Sequence, residues 1–345
     1  MRKEPRAMTL DHAVALSLID DLPRVGLTDR LFSDDPELLD IAAAEIPLAR
    51  RVRADASASG IDVIAWNAPT FPAGLLMTTD CPPVLWFRGL SAVFDAPAVA
   101  VVGSRAASAV ALETASRIGE ELAAYGVVVV SGLARGVDSA AHRGALRQGR
   151  TIAVLGSGVD RIYPREHASL AADIAATGLV ASEFPPGSAP LPFRFPLRNR
   201  IISALSRGVV VIEASEHSGS LITAACALEQ GREVMVVPGN VLSGRNRGGH
   251  ALLRDGARLV ETADDILTEL GLCSRPASGI AASNGQSTKC EDSLLRSMDA
   301  GLAYDLDALA DASGLSAGHL LPRLSELELL GLITRLEGGR FMRSA

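Results

Sequence analysis

The sequence predicts an α/β fold: a doubly wound, mostly parallel sheet, with a small helical segment before it and a helix-and-hairpin segment after it. Three observations carry this. Short apolar, β-branched runs recur at Val99–Gly103, Val127–Val130, Thr151–Leu155, Leu179–Ser182, Gly208–Ile212 and Glu233–Val237. Helix-patterned segments separate most of them, as in a sheet buried on both faces. Small or basic residues fill the turns after the strands, where open α/β sheets bind their ligands.

Taken in order, residues 8–55 hold helical pattern, for example Leu10–Leu22 and Pro36–Ile46, with a turn at Pro23-Arg24-Val25-Gly26. A packing bundle explains this better than a helix–hairpin–helix touching DNA. Ala56–Gly60 reads as a linker and Ile61–Ala65 as a strand. Pro82 and Pro83 hold an extended arm leading to the main sheet. The first core strand ends in Gly103-Ser104-Arg105, and a helix follows over about 108–125. The second leads through Ser131-Gly132-Leu133-Ala134-Arg135-Gly136 into a helix ending near Gln148. Beyond the core, 273–291 is rich in Ser, Ala and Gly, as a flexible linker is. Asp292–Met298, Asp305–Ser313 and Ala317–Leu330 are helical, and 331–342 forms a hairpin turning at Gly338-Gly339. Three helices and a hairpin suggest a winged helix. Glu326 and Glu328 face Arg323 on its recognition helix, so protein contact or internal packing is expected of it rather than a grip on DNA.

The 345 residues suffice for one large domain plus small ones, and 48% are hydrophobic. No run reaches the ~18–20 apolar residues of a membrane span. Nor does the N-terminus carry the apolar stretch of a secretory signal. Cys81, Cys226, Cys273 and Cys290 are scattered, like reduced cytosolic thiols rather than a disulfide frame or zinc site. Net charge is −7, but residues 99–262 hold 17 Arg against 14 Asp and Glu, a balance of +3. Of 33 basic residues all but Lys3 and Lys289 are arginine. The planar arginine fork suits bidentate phosphate contacts and base stacking.

Gly103-Ser104-Arg105, between a buried strand and a helix, combines close backbone approach, free N–H donors and full charge. Ser218-Gly219-Ser220 repeats this before a helix over Leu221–Gln230. With Gly132, Gly136, Gly156 and Gly158 these turns point to a phosphate-binding surface. The densest basic cluster, Phe193–Arg200, interleaves aromatics with Arg194, Arg198 and Arg200 beside Asn199. That pattern suits a single strand, which needs charge along its backbone and π faces for its bases. No GxxxxGK[ST] or GxGxxG motif is present, against a P-loop NTPase and against dinucleotide chemistry. The six histidines are dispersed, Asp138 and Glu213 read as helix caps or arginine partners, and no nucleophile–base pair stands out. Neither catalysis, a cofactor nor a metal is expected.

These motifs, continued by Asp138, His142, Tyr163-Pro164, Ser182-Glu183, Phe195-Pro196, Thr223-Ala224 and Pro238-Gly239, closely resemble the DNA-processing protein DprA (Smf) family over roughly 70–262. The resemblance implies an extended Rossmann-fold core over 61–272, a small SAM-like helical domain over 1–60 and a winged helix over 292–345. It further implies a cytoplasmic homodimer that binds single-stranded DNA, protects incoming strands in natural transformation and loads the RecA recombinase, without catalysis. By position, Arg105 is then the main phosphate contact and Arg165 a second. Arg198–Arg200 lines the same groove, Tyr163 offers a stacking face, and Arg135 and Arg165 stand where relatives commonly have lysine. The alternative is a nucleotide-binding hydrolase of the LOG/lysine-decarboxylase-like type. Its Pro-Gly-Gly-x-Gly-Thr turn is not matched by Pro238-Gly239-Asn240 or by Ser218-Gly219-Ser220.

Overall fold

The structure, a computed structural model, describes residues 8–19, 22–24, 26–272, 294, 298, 303–313, 317–329, 333–336 and 340–343. The chain divides into two compact units, Met1–Ser278 and Gly279–Ala345.

The first unit begins with helices α1 (Leu10–Ser17), α2 (Leu27–Phe32) and α3 (Pro36–Ala58). Asp35 caps α3, and Pro36 takes its first turn, where a missing N–H costs nothing. The helix runs through Pro47 and continues over Ala56–Ala58, where the sequence reading placed a linker. Gly60, with φ +69°, ends it as Ile61 N–H reaches back to the Ala56 carbonyl. Ala13, Val14, Leu16, Leu31 and Leu38 share one apolar cluster with Ile64 and the fully buried Trp86.

Nine strands form one sheet: β1 (Asp62–Ala65), β2 (Val84–Gly89), β3 (Ala98–Gly103), β4 (Val128–Ser131), β5 (Thr151–Val154), β6 (Leu179–Ser182), β7 (Gly208–Ile212), β8 (Glu233–Val237) and β9 (Arg258–Leu259). Their order is β1-β2-β6-β5-β4-β3-β7-β8-β9, and β6 through β9 pair in parallel. The arm after Pro83 becomes β2, which pairs antiparallel with both β1 and β6. Helices α4 (Ala73–Leu76), α5 (Ala109–Ala124), α6 (Val137–Ala145), α7 (Ala168–Thr177), α8 (Arg194–Ala204), α9 (Ser220–Glu229), α10 (Arg247–Arg254) and α11 (Ala263–Glu269) connect and cover the sheet.

Alternation along the strands explains the two faces. Val99, Val101, Val129 and Val210 join one cluster with Ile118 and Leu122 of α5 and Ile266 of α11. Ala100, Val102, Val130 and Val211 join the other, with Ile201 of α8 and Ala224 of α9. Both faces are therefore apolar, and the strands read as continuous runs. Strand order reverses between β3 and β7. Each of these carboxyl ends feeds a helix, and the crevice between them is where a doubly wound sheet binds its ligand.

In the second unit, α12 (Leu306–Ser313) and α13 (Ala317–Leu329) accompany strands β10 (Ala303–Tyr304), β11 (Ile333–Leu336) and β12 (Arg340–Arg343). The strands pair antiparallel in the order β10-β12-β11. Leu309, Leu320, Leu324, Leu327, Ile333 and Phe341 form its core. The helix expected over 317–330 and the hairpin are both present, and β10 adds a third strand. The 273–291 linker and the Gly338-Gly339 turn lie outside the described residues. Among those residues no helix is long and apolar enough to cross a membrane.

Candidate nucleic-acid interface

A cavity of about 410 Å³ opens at the β3–β7 reversal. The turn after β3 contributes Gly103, Ser104 and Arg105, and the turn after β7 contributes Ser215 and His217 to Ser220. Helix α8, crossing from β6 to β7, supplies Phe195, Arg198 and Asn199. A shallower depression beside it is lined by Arg105, Gly132, Arg135, Tyr163, Phe195 and Arg198. Eleven of the seventeen sequence-derived candidates thus meet along one rim. The sequence reading did not place His217, Thr223 or Ile202 at the site, though it quoted Thr223 among the family motifs, and all three line the cavity. Thr223 and Ile202 carry no chemical signature, and only the folded helices turn them inward.

Arg105 is exposed, and its guanidinium sits 5.7 Å from the centre of the Phe195 ring. The Tyr163 ring packs 5.4 Å from the other aromatic, so cation, ring and ring form a continuous platform. Among the described residues no carboxylate ion-pairs with Arg105 or Arg165. Arg165 is exposed in a short turn beside Pro164 but lines neither depression. Arg135 is paired with Glu166 at 2.5 Å, so its charge is partly spent. At α9 no side chain caps the helix, and the Ser218 and Ser220 hydroxyls bond each other at 2.7 Å. The Ser220 N–H donates to Ser218 Oγ at 3.4 Å, and those of Leu221 and Ile222 to the Ser218 and Gly219 carbonyls, so α9 offers the cavity its positive dipole end and two hydroxyls rather than open amides. The β3–α5 turn is held from outside: Glu213 accepts from Ser108 N–H and Oγ–H, and Arg245 donates to the Ala106 carbonyl at 2.8 Å.

Helix α8 departs from its sequence reading. A shared DNA groove was the expectation, yet Arg194, Arg198 and Arg200 are all buried. Residues two apart on a helix point to nearly opposite sides. Arg198 faces the cavity, where its Nη1 donates to the Gly132 carbonyl at 2.9 Å and also to that of Val154. Burial lowers its pKa to about 10, Asp138 opposes that shift, and Arg105 adds to it. Arg200 faces away and is held by Asp80 at 2.5 Å and Glu183 at 2.9 Å, with Arg24 completing the cluster on Glu183. Two carboxylates consume its charge, so Arg200 does not belong to the groove. Arg194 stacks over Phe184 at 4.6 Å and donates to the Ala189 carbonyl, away from the cavity lining.

The glycines also take different work from that expected. A Cβ on Gly103 would lie 1.9 Å from the Ile212 carbonyl, so this glycine lets β7 approach rather than a ligand. Gly136 passes against the Ser104 carbonyl, Gly156 lies beneath the Phe195 ring and Gly158 beside Asp160. None of these three lines the cavity. At Gly132 a Cβ would fall 2.4 Å from Arg198 Nη1. Gly132→Ala is therefore expected to lose about 1–3 kcal/mol through overpacking, read by urea denaturation.

Comparison with known proteins agrees with this architecture. The family model for DNA recombination-mediator protein A matches residues 62–271, and the DprA winged helix domain matches 280–339. Protein Smf of Escherichia coli is 41% identical over 284 residues, covering 80% of this chain and 76% of its own. DNA processing protein DprA of Streptococcus pneumoniae is 45% identical over 200 residues, 58% of this chain and 71% of its own. Its crystal structure superposes with TM-score 0.67 at 35% identity, over 76% of this chain and 99% of the other. A structure of DNA processing protein A from Helicobacter pylori, which concerns that protein's single-stranded DNA binding mode, gives TM-score 0.56 at 29% identity, over 61% and 95%. With matched models over both units and a sheet that superposes on a solved relative, this chain belongs to the DNA recombination-mediator protein A family, the DprA and Smf proteins.

Proposed function

We propose that the β3–β7 crevice binds single-stranded DNA without reading its sequence. We further propose that the chain acts as a cytoplasmic homodimer, passing the strand to the RecA recombinase during DNA uptake and recombination. One observation carries the DNA reading. Arg105, Arg198 and the positive end of α9 with its Ser218 and Ser220 hydroxyls converge on a cavity whose rim is the Tyr163–Phe195 platform. Charge then follows the sugar–phosphate chain while bases stack on π faces, which all four bases possess. The single-stranded DNA binding of the Helicobacter pylori relative and the transformation role implied by the family support the same reading.

Fluorescence anisotropy of a labelled oligothymidylate across a salt series tests it, with unlabelled single strand and duplex as competitors. Binding is expected to weaken with salt by about 0.7 in the log–log slope for each phosphate neutralised. Mixed-sequence single strand is expected to compete and duplex to compete poorly. Equal competition by duplex, or a salt-independent signal, refutes the reading.

A further inference from the structure

Every cation around the crevice has an evident use, but one carboxylate does not. Asp138 is the one acidic residue among those lining the cavity, and it is 6% exposed. A buried anion at the wall of a phosphate site repels the ligand the site is built for. Its contacts show what holds it there. Asp138 Oδ2 accepts from Gly132 N–H at 3.1 Å and from Ala134 N–H at 3.3 Å. Between them Leu133 adopts φ +57°, in the left-handed region a leucine rarely occupies. Alternate N–H groups converging from such a turn make an anion-binding nest. His167 braces it through a 2.8 Å contact with the Leu133 carbonyl, so the strained turn is held from behind. Arg198 Nη1 meanwhile binds the Gly132 carbonyl at 2.9 Å. The turn is thus polarised, with amides toward an anion and a carbonyl toward a cation.

We propose that Asp138 is a built-in anion of the strand site, filling a backbone nest that a DNA phosphate would otherwise occupy and so limiting how tightly the crevice holds DNA. This rests on the reading of the crevice as a single-strand site. The arrangement suits a mediator, which must release its strand as well as bind it. The remaining donors, Arg105 and the Ser218 and Ser220 hydroxyls, then set the working affinity. Burial holds the Asp138 carboxyl above its usual range, while Arg198 and the two amides pull the other way. Neutralising Asp138 removes the repulsion and leaves the nest open to a phosphate.

The test is Asp138→Ala, which removes both the charge and the oxygen that fills the nest, in the full chain with the labelled oligothymidylate. Affinity is expected to rise by roughly threefold to tenfold, through slower dissociation. The salt slope is expected to steepen by about 0.7, because the Arg198 charge, no longer offset by Asp138, neutralises one more phosphate. A purely structural role for Asp138 predicts weaker or unchanged binding, and either result in a variant that melts as the wild type does overturns the proposal. A gain in affinity at unchanged slope overturns it as well. Asp138→Ser repeats the measurement should the alanine variant not fold, and loss of folding in both assigns the residue to the scaffold alone. If the wild type itself does not bind single strand, the crevice reading falls with the proposal. If the wild type binds and the variant gains nothing, only the proposal falls.

Discussion

Arg105→Ala is expected to reduce affinity for every single-stranded sequence by roughly tenfold and to flatten the salt slope by about 0.7. The side chain is exposed and its guanidinium lies over the Phe195 ring, so the substitution removes no buried contact that folding requires. Melting temperature should therefore stay where it is. The loss should be the same for oligothymidylate and mixed sequence, because a phosphate contact carries no base information. Arg105→Lys should recover the slope while recovering the affinity only in part, since an ammonium stacks less well on the aromatic ring. Anisotropy across a salt series on the three proteins checks each point. An unchanged slope in the alanine variant removes Arg105 from the interface.

The opposite outcome is expected at Arg200, which the sequence groups with Arg105 and the structure does not. Arg200→Met is expected to destabilise the large unit by about 3–5 kcal/mol, because it breaks a buried ion pair, stripping the half-buried Asp80 of its cation and the buried Glu183 of one of its two. At about 2–4 °C of melting temperature for each kcal/mol, the transition falls by on the order of 10 °C. Below that transition the salt slope of oligonucleotide binding should match the wild type. The triple change Arg200→Met, Glu183→Gln, Asp80→Asn removes every charge of the core pair and should regain part of the loss. Calorimetry on both proteins measures this. A normal melt for Arg200→Met, or a flattened slope, places Arg200 outside the role its two ion pairs give it.

The contrast between these two arginines shows how far the sequence reading reached. The strands were legible because both faces of a parallel sheet are covered, so Val99–Val102 and Val209–Ile212 read as unbroken apolar runs. The strand-end turns were legible because Gly, Ser and Arg cluster there directly after apolar runs. Arg105, Arg198, Asn199 and Ser218 to Ser220 were therefore found together without coordinates. Within Phe193–Arg200, however, composition could not separate the cations. Helical geometry sends Arg198 and Arg200 to different sides, and only the position of Asp80, 120 residues away, shows which charge is consumed. The extension of α3 past Pro47 escaped for a similar reason. Proline reads as a break, but a helix packed along α1 tolerates one missing N–H.

What the sequence alone determined is the alternation of buried strand and helix, the family it carries, and the collection of donors at the carboxyl ends of the strands. These follow from local rules of periodicity, turn chemistry and residue type, which act within a few positions along the chain. What the tertiary structure decided is which donors remain free. Asp138 in its nest, Arg200 between two carboxylates and Gly132 beneath a guanidinium are all set by contacts across the fold. Charge in a low-dielectric interior is governed by its nearest partner in space, and that partner is not written beside it in the chain.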